Sequence, residues 1–116
     1  MPIPSEIIAL IERLNQELDR IESDATEGAN LARAILTLFP DNFIVIRLFA
    51  FLNASLIFVE TSRRQIRIRL EDISASEVTT DEVIQEAGED LAIELGRVLE
   101  TKIAVISIKT RLENLR

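Results

Sequence analysis

Seven consecutive residues hold the chain's most specific-looking chemistry: Arg63-Arg64-Gln65-Ile66-Arg67-Ile68-Arg69. Read with period two, Arg63, Gln65, Arg67 and Arg69 fall on one face of a strand, with Ile66, Ile68 and Leu70 on the other. Arginine and glutamine both make bidentate contacts with base edges, and a two-stranded ribbon displaying them suits a nucleic-acid groove. It would equally suit an anionic protein partner. The plainer reading is a solvated outer face whose charges discourage edge-to-edge pairing.

A second cluster is acidic. Glu86, Asp90 and Glu94 follow one another at single-turn spacing on a helical segment. Carboxylate-bridged metal sites in helical bundles combine such acids with Glu-x-x-His pairs, and this chain contains no histidine. The central glycine of a calcium loop is also missing. There is no cysteine, tryptophan or tyrosine, and only three glycines. A hydroxyl nucleophile would lack a histidine base, and no glycine-rich phosphate loop is present. The two lysines, Lys102 and Lys109, sit on a charged helix end. The expectation is therefore no enzyme, no catalytic residue, no cofactor and no metal, but a protein that works through its surface.

The elements that must position these residues begin with two arms. From Pro4-Ser5-Glu6 onward, Ile7, Ile11, Leu14, Leu18, Ile21, Ala25, Gly28, Ala32 and Ile35 repeat at alternating spacings of four and three. This is a heptad seam and predicts a helix over 5–38. Small residues at 25, 28 and 32 indicate either close approach of a partner backbone or a break near Gly28. Pro40 ends the arm by biasing Phe39 away from the helical region. A second seam, Ile84, Gly88, Leu91, Leu95, Val98, Lys102, Val105, Lys109 and Leu112, predicts a helix over 81–115. Thr79 and Glu82 read as its capping box. Six acids between Asp81 and Glu94 and five bases between Arg97 and Arg116 suit the helix dipole. They also suit an antiparallel pairing that brings the basic end near Glu6 and Glu12.

Between the arms, Phe43–Val59 is the densest apolar stretch, carrying one charge, Arg47. Phe43-Ile44-Val45-Ile46 is rich in strand formers, although a helix capped by Asp41 or Asn42 also fits. Ser55–Thr61 could pair with the arginine strand through a turn at Ser62-Arg63. The stretch approaches membrane-span length, but Arg47, Asn53 and Ser55 inside it are costly there. Ser74–Glu77 reads as a linker.

Length bounds the chain to one domain, 1–116. A hydrophobic content of 47% supports a core, which must be aliphatic because the only aromatic residues are five phenylalanines. The net charge of −7 is uneven. Residues 1–39 carry seven acids and three arginines, residues 40–73 four acids and five arginines, and residues 74–116 nine acids and five bases. Overall acidity disfavours nucleic acid and anionic membrane as partners, with the mildly basic middle the one exception. No basic and apolar leader is visible at the N-terminus, and a cytoplasmic location is expected.

The expected fold is α+β and helix-dominated: two long antiparallel helices, 5–38 and 81–115, flanking a β-hairpin or three-stranded meander over 43–72. This layout resembles that of prefoldin-type chaperone subunits, which also join two long helices through β-hairpins. The likeness is one of outline, carried by no residue motif, and no function follows from it. Apolar stripes wider than a two-helix contact needs point to self-association. The expected function is a non-enzymatic, homo-oligomeric interaction protein: an assembly factor, adaptor or accessory subunit. Its partner is a second copy, as a homodimer or higher coiled-coil assembly, or another protein. The expected oligomer seam comprises Ile7, Ile11, Leu14, Leu18, Ile21, Leu91, Val98 and Val105. The alternative is a small dimeric nucleic-acid regulator that reads with Arg63, Gln65, Arg67 and Arg69.

Overall fold

Neither glycine nor proline interrupts residues 43–75, and in the computed structural model a single helix runs through them. The structure describes residues 3–75 and 80–115. Three helices make up the fold: α1 (Ser5–Leu38), α2 (Phe43–Ala75) and α3 (Asp81–Asn114). They form a bundle with extents of 59 × 19 × 16 Å, its length that of helices of this size at ~1.5 Å rise per residue. The α+β expectation is overturned, because no strand occurs among the described residues and the hairpin or meander over 43–72 is helical. The outline likeness to prefoldin-type subunits goes with it, since the connecting hairpins do not exist.

The physical reason lies in a third seam. Val45, Leu48, Leu52, Ser55, Val59, Ser62, Ile66 and Ile73 recur at heptad positions, and all are buried. The alternation of Ile66, Ile68 and Leu70 is also compatible with a helix. There Ile66 turns inward, Leu70 is half-buried and Ile68 is exposed. Strand propensity is a weak preference that tertiary burial overrides, and the proposed turn at Ser62-Arg63 had no glycine, proline, asparagine or aspartate to make it.

A helix in the middle also reverses the arms. Three helices joined end to end leave the first and third parallel, so the expected antiparallel arms are corrected. Lys102 meets Glu17, Lys109 meets Asp24, and Ile7 lies against Gly88, a parallel register that holds to within about one helical turn. Helix α2 runs antiparallel to both, with Arg63 on Asp19 and Glu22 of α1 and Arg69 on Asp90 of α3.

The helix ends follow local chemistry. Pro4 carries the N-terminal carbonyl of α1, which accepts from the Ile7 and Ile8 amides at 3.1 and 3.2 Å. Phe39 leaves the helical region at φ −132°, ψ 71°, as its position before Pro40 requires. Asn42 Oδ1 then accepts from the Val45 amide at 3.2 Å and caps α2. Thr80 Oγ1 caps α3 by accepting from the Val83 amide at 3.2 Å. The expected cap residue Thr79 lies outside the described residues, as does the Ser74–Glu77 linker from residue 76 onward.

α1 is the hub. Its seam faces both other helices, and Leu14, Leu18, Ile21, Ala25 and Ala32 are fully buried. Each large aliphatic side chain so buried stabilises the fold by about 1.5–3 kcal/mol. The helix is continuous through Gly28, which has no positive φ. A Cβ there would meet Leu52 Cδ1 at 2.9 Å. The small residues of α1 thus mark close approach of α2 rather than a break.

Candidate interaction surface

A helix turns about 100° per residue where a strand turns 180°, so the arginine row does not share a face. Arg63 points to α1, where its guanidinium donates to Asp19 at 2.6 Å and Glu22 at 2.7 Å. The Glu22 hydrogen bond, helped by Asp19 and only partly countered by burial, raises its already high pKa. Arg69 points to α3 and donates to Asp90 at 2.7 Å. Gln65 and Arg67 are exposed and lie on different sides of α2. The β-ribbon of Arg63, Gln65, Arg67 and Arg69 is therefore corrected to a dispersed set, two of whose members brace the bundle.

The acids behave similarly. Asp90 holds Arg69, and Glu94 Oε1 accepts from the Ser62 hydroxyl at 3.1 Å. This bond allows Ser62 to sit almost fully buried in the seam of α2. Ser55, also buried, donates to the Phe51 carbonyl within its own helix at 2.9 Å.

Between α1 and α3 lies a charged seam that the sequence placed in the right helices but the wrong register. Lys102 Nζ is 2.5 Å from Glu17 Oε2, an ion pair out of hydrogen-bonding alignment. Lys109 donates to Asp24 at 3.2 Å and makes a short contact with Glu27. Arg20 donates to Asp24 at 2.7 Å. Burial pushes the Asp24 carboxyl up, but the hydrogen bonds from Arg20 and Lys109 outweigh it and hold the carboxyl below its ordinary value. The Glu27 contact, opposed by burial and reinforced by Asp24, raises Lys109. These three acids and three bases neutralise one another across the contact.

The expected oligomer seam lies inside the single chain. Ile7, Leu14, Leu18, Ile21, Leu91, Val98 and Val105 are buried and Ile11 is half-buried. The bundle leaves single apolar side chains uncovered on α1 and α3, Ile8, Ile93 and Ile103 among them, and a longer apolar run uncovered on the outward face of α2. An 18-residue window of this helix has a mean hydropathy of 2.0, long and apolar enough by length and composition to cross a membrane, yet only 28% of it is buried. Phe43 is 76% exposed and Ile57 65%. Ile46, Phe51, Ala50 and Ala54 are exposed around them. The C-terminal ends of α1 and α3 share the end where α2 begins, and Leu38, Phe39 and Leu115 are exposed there. A groove of about 670 Å³ opens there between α1 and α3, lined by Leu31, Ile35, Leu38, Phe39, Lys109 and Leu115. Its lysine is already committed to Asp24 and Glu27.

Sequence reasoning saw Phe43–Val59 as apolar but did not see that it has two faces. The inward heptad at 45, 48, 52, 55, 59, 62 and 66 was the available signal. No protein family, curated protein or solved structure matches the chain.

Proposed function

We propose that the protein is a non-enzymatic interaction module whose working surface is the outward face of α2. The observation that carries this reading is the exposure of Phe43 and Ile57 on a helix whose opposite face already fills the core. Contiguous apolar patches beyond a few hundred Å² are rare on monomeric proteins and mark interaction sites. The seams of α1 and α3 serve to build the bundle, and the arginines that suggested nucleic-acid reading are in part drawn into its ion pairs.

The test is Ile57→Glu, alone and with Phe43→Ser. Both positions are exposed, so helicity and melting temperature of the dilute chain should stay at wild-type values. Binding of an apolar fluorescent dye should fall severalfold. Unchanged dye binding would remove α2 as the working surface.

A further inference from the structure

The outward face of α2 has a composition and charge pattern that select its occupant. Along it run Phe43, Ile46, Ala50, Asn53, Ala54, Ile57, Thr61 and Arg64 at three- and four-residue spacings, a second heptad-like seam opposite the first. The large residues stand at 43, 46 and 57, and the small ones at 50, 53 and 54, in the middle. All eight are exposed. We infer that this face pairs with the same face of a second copy, the two α2 helices running antiparallel about a twofold axis level with Leu52 and Asn53. This inference rests on the reading above and names the partner of that surface.

Three features argue for it. The first is extent. Phe43, Ile46 and Ile57 are 76%, 41% and 65% exposed, and the five further positions of the face are exposed with them along residues 43–64 of one helix, so pairing takes a long continuous strip out of water. The second is shape. Small residues at the centre let two helices approach closely, as Gly28 and Leu52 already do on the other side. The third is charge. Parallel pairing would set Glu60, Arg64 and Arg67 each against its own copy, a destabilising arrangement. Antiparallel pairing about residues 52–53 instead brings Arg64 level with Asp41 of the second copy. Acidic α1 and α3 stay on the outer sides of the pair, away from each other.

A lipid surface is the competing occupant. It fits less well, because Asn53 and Thr61 set polar groups within the face and the flanking helices α1 and α3 are acidic.

The chain has no cysteine, so single cysteines report geometry without background. A disulfide needs Cα atoms within about 7 Å. In the antiparallel pair, Asn53→Cys should cross-link to itself under mild oxidation. Phe43→Cys should cross-link with Thr61→Cys in a mixture but not with itself, its two copies lying about 28 Å apart at the helical rise. Light scattering at tens to hundreds of micromolar should give twice the chain mass of 13.1 kDa, falling to 13.1 kDa in Ile57→Glu with helicity intact. Self-linkage of Phe43→Cys, a doubled mass that survives Ile57→Glu, or a constant 13.1 kDa would overturn the pairing. If the wild type is monomeric and still loses dye binding on Ile57→Glu, only the second copy is refuted. Flotation of that monomer with phosphatidylcholine–phosphatidylserine vesicles would give the surface to lipid instead. A monomer whose dye binding ignores Ile57→Glu refutes both readings.

Discussion

Over residues 43–59 the two faces of α2 are both apolar and differ almost wholly in fate. Inward, Val45, Leu52 and Val59 are fully buried. Outward, Phe43, Ile46 and Ile57 are open to solvent, although each is as apolar as its inward counterpart. What separates them is the neighbour each face meets. The inward face meets α1, where Gly28, set among the buried Ala25, Ala29 and Ala32, leaves room for Leu52. The outward face meets nothing within the chain. Burial is thus decided by complementarity across helices, and hydropathy along one helix only nominates candidates.

That contrast sets the largest expected effect. Leu52→Ala should destabilise the chain by about 2–5 kcal/mol, the cost of a large-to-small change in a packed core. Ile57→Ala, measured where the chain is dilute and monomeric, should change stability by no more than ~0.5 kcal/mol. Urea denaturation followed by circular dichroism reads both. Equal losses would mean that the two faces are packed alike within one chain, and the assignment of the outward face as a contact surface would fall.

The arms were legible in the sequence for the reason that α2 was not. α1 and α3 each set an apolar seam against charged residues, so the 3.6-residue period stands out, and 5–38 and 81–115 lie within one residue of the observed bounds. In residues 43–58 both faces are apolar and the contrast that reveals a period vanishes. Further along, Ser55 and Ser62 break the inward seam to the eye, though each has a hydrogen-bond acceptor. The arginine row then offered a strand alternation that the helix does not use. The candidate site failed with it, because a change from 180° to about 100° per residue sends Arg63 and Arg69 to different neighbours. The lack of glycine and proline from 43 to 75 was the one strong clue to a continuous helix.

The α1–α3 contact sharpens the comparison from the other side, because charge as well as shape closes it. Lys109→Ala removes a partner from Asp24, which is buried and keeps only Arg20. The loss should be about 1–3 kcal/mol, as for a buried polar group deprived of a partner. Its pH dependence has a defined sign. The Asp24 carboxyl lies below its ordinary value, so its contribution is complete above the unfolded pKa of about 3.9 and is lost as pH falls through the lower folded value. Lys109 is raised, so its contribution is complete below about 10.4 and is lost as pH rises through the higher folded value. Denaturation midpoints of the wild type should therefore fall at both extremes. In Lys109→Ala the alkaline loss should shrink, and so should part of the acid loss. A variant with the wild-type profile at both ends would show that the ion pairs are decoration on a seam closed by Leu91, Val98 and Val105 alone.

The smallest expected effect compares two helical glycines, one beneath a packed face and one beneath none. Gly96 of α3 has no neighbour within 4 Å of where a Cβ would stand. Gly96→Ala should stabilise by up to ~1 kcal/mol, the helix preference of alanine over glycine. At Gly28 the same preference operates, but the new methyl would meet Leu52 Cδ1 at 2.9 Å, and that leucine is fully enclosed. Its side chain must turn inside a filled core, so the gain at Gly28 should be smaller than at Gly96 or reversed. A double-mutant cycle isolates the cause. In a Leu52→Ala background the obstacle is gone, and Gly28→Ala should recover the gain seen at Gly96 and refill part of the space. The coupling between positions 28 and 52 should then be favourable, in the range of about 0.5–3 kcal/mol seen for residues in contact. Zero coupling, with Gly28→Ala already as stabilising as Gly96→Ala, would mean that α2 does not sit close enough on α1 for its inward face to differ from its outward one.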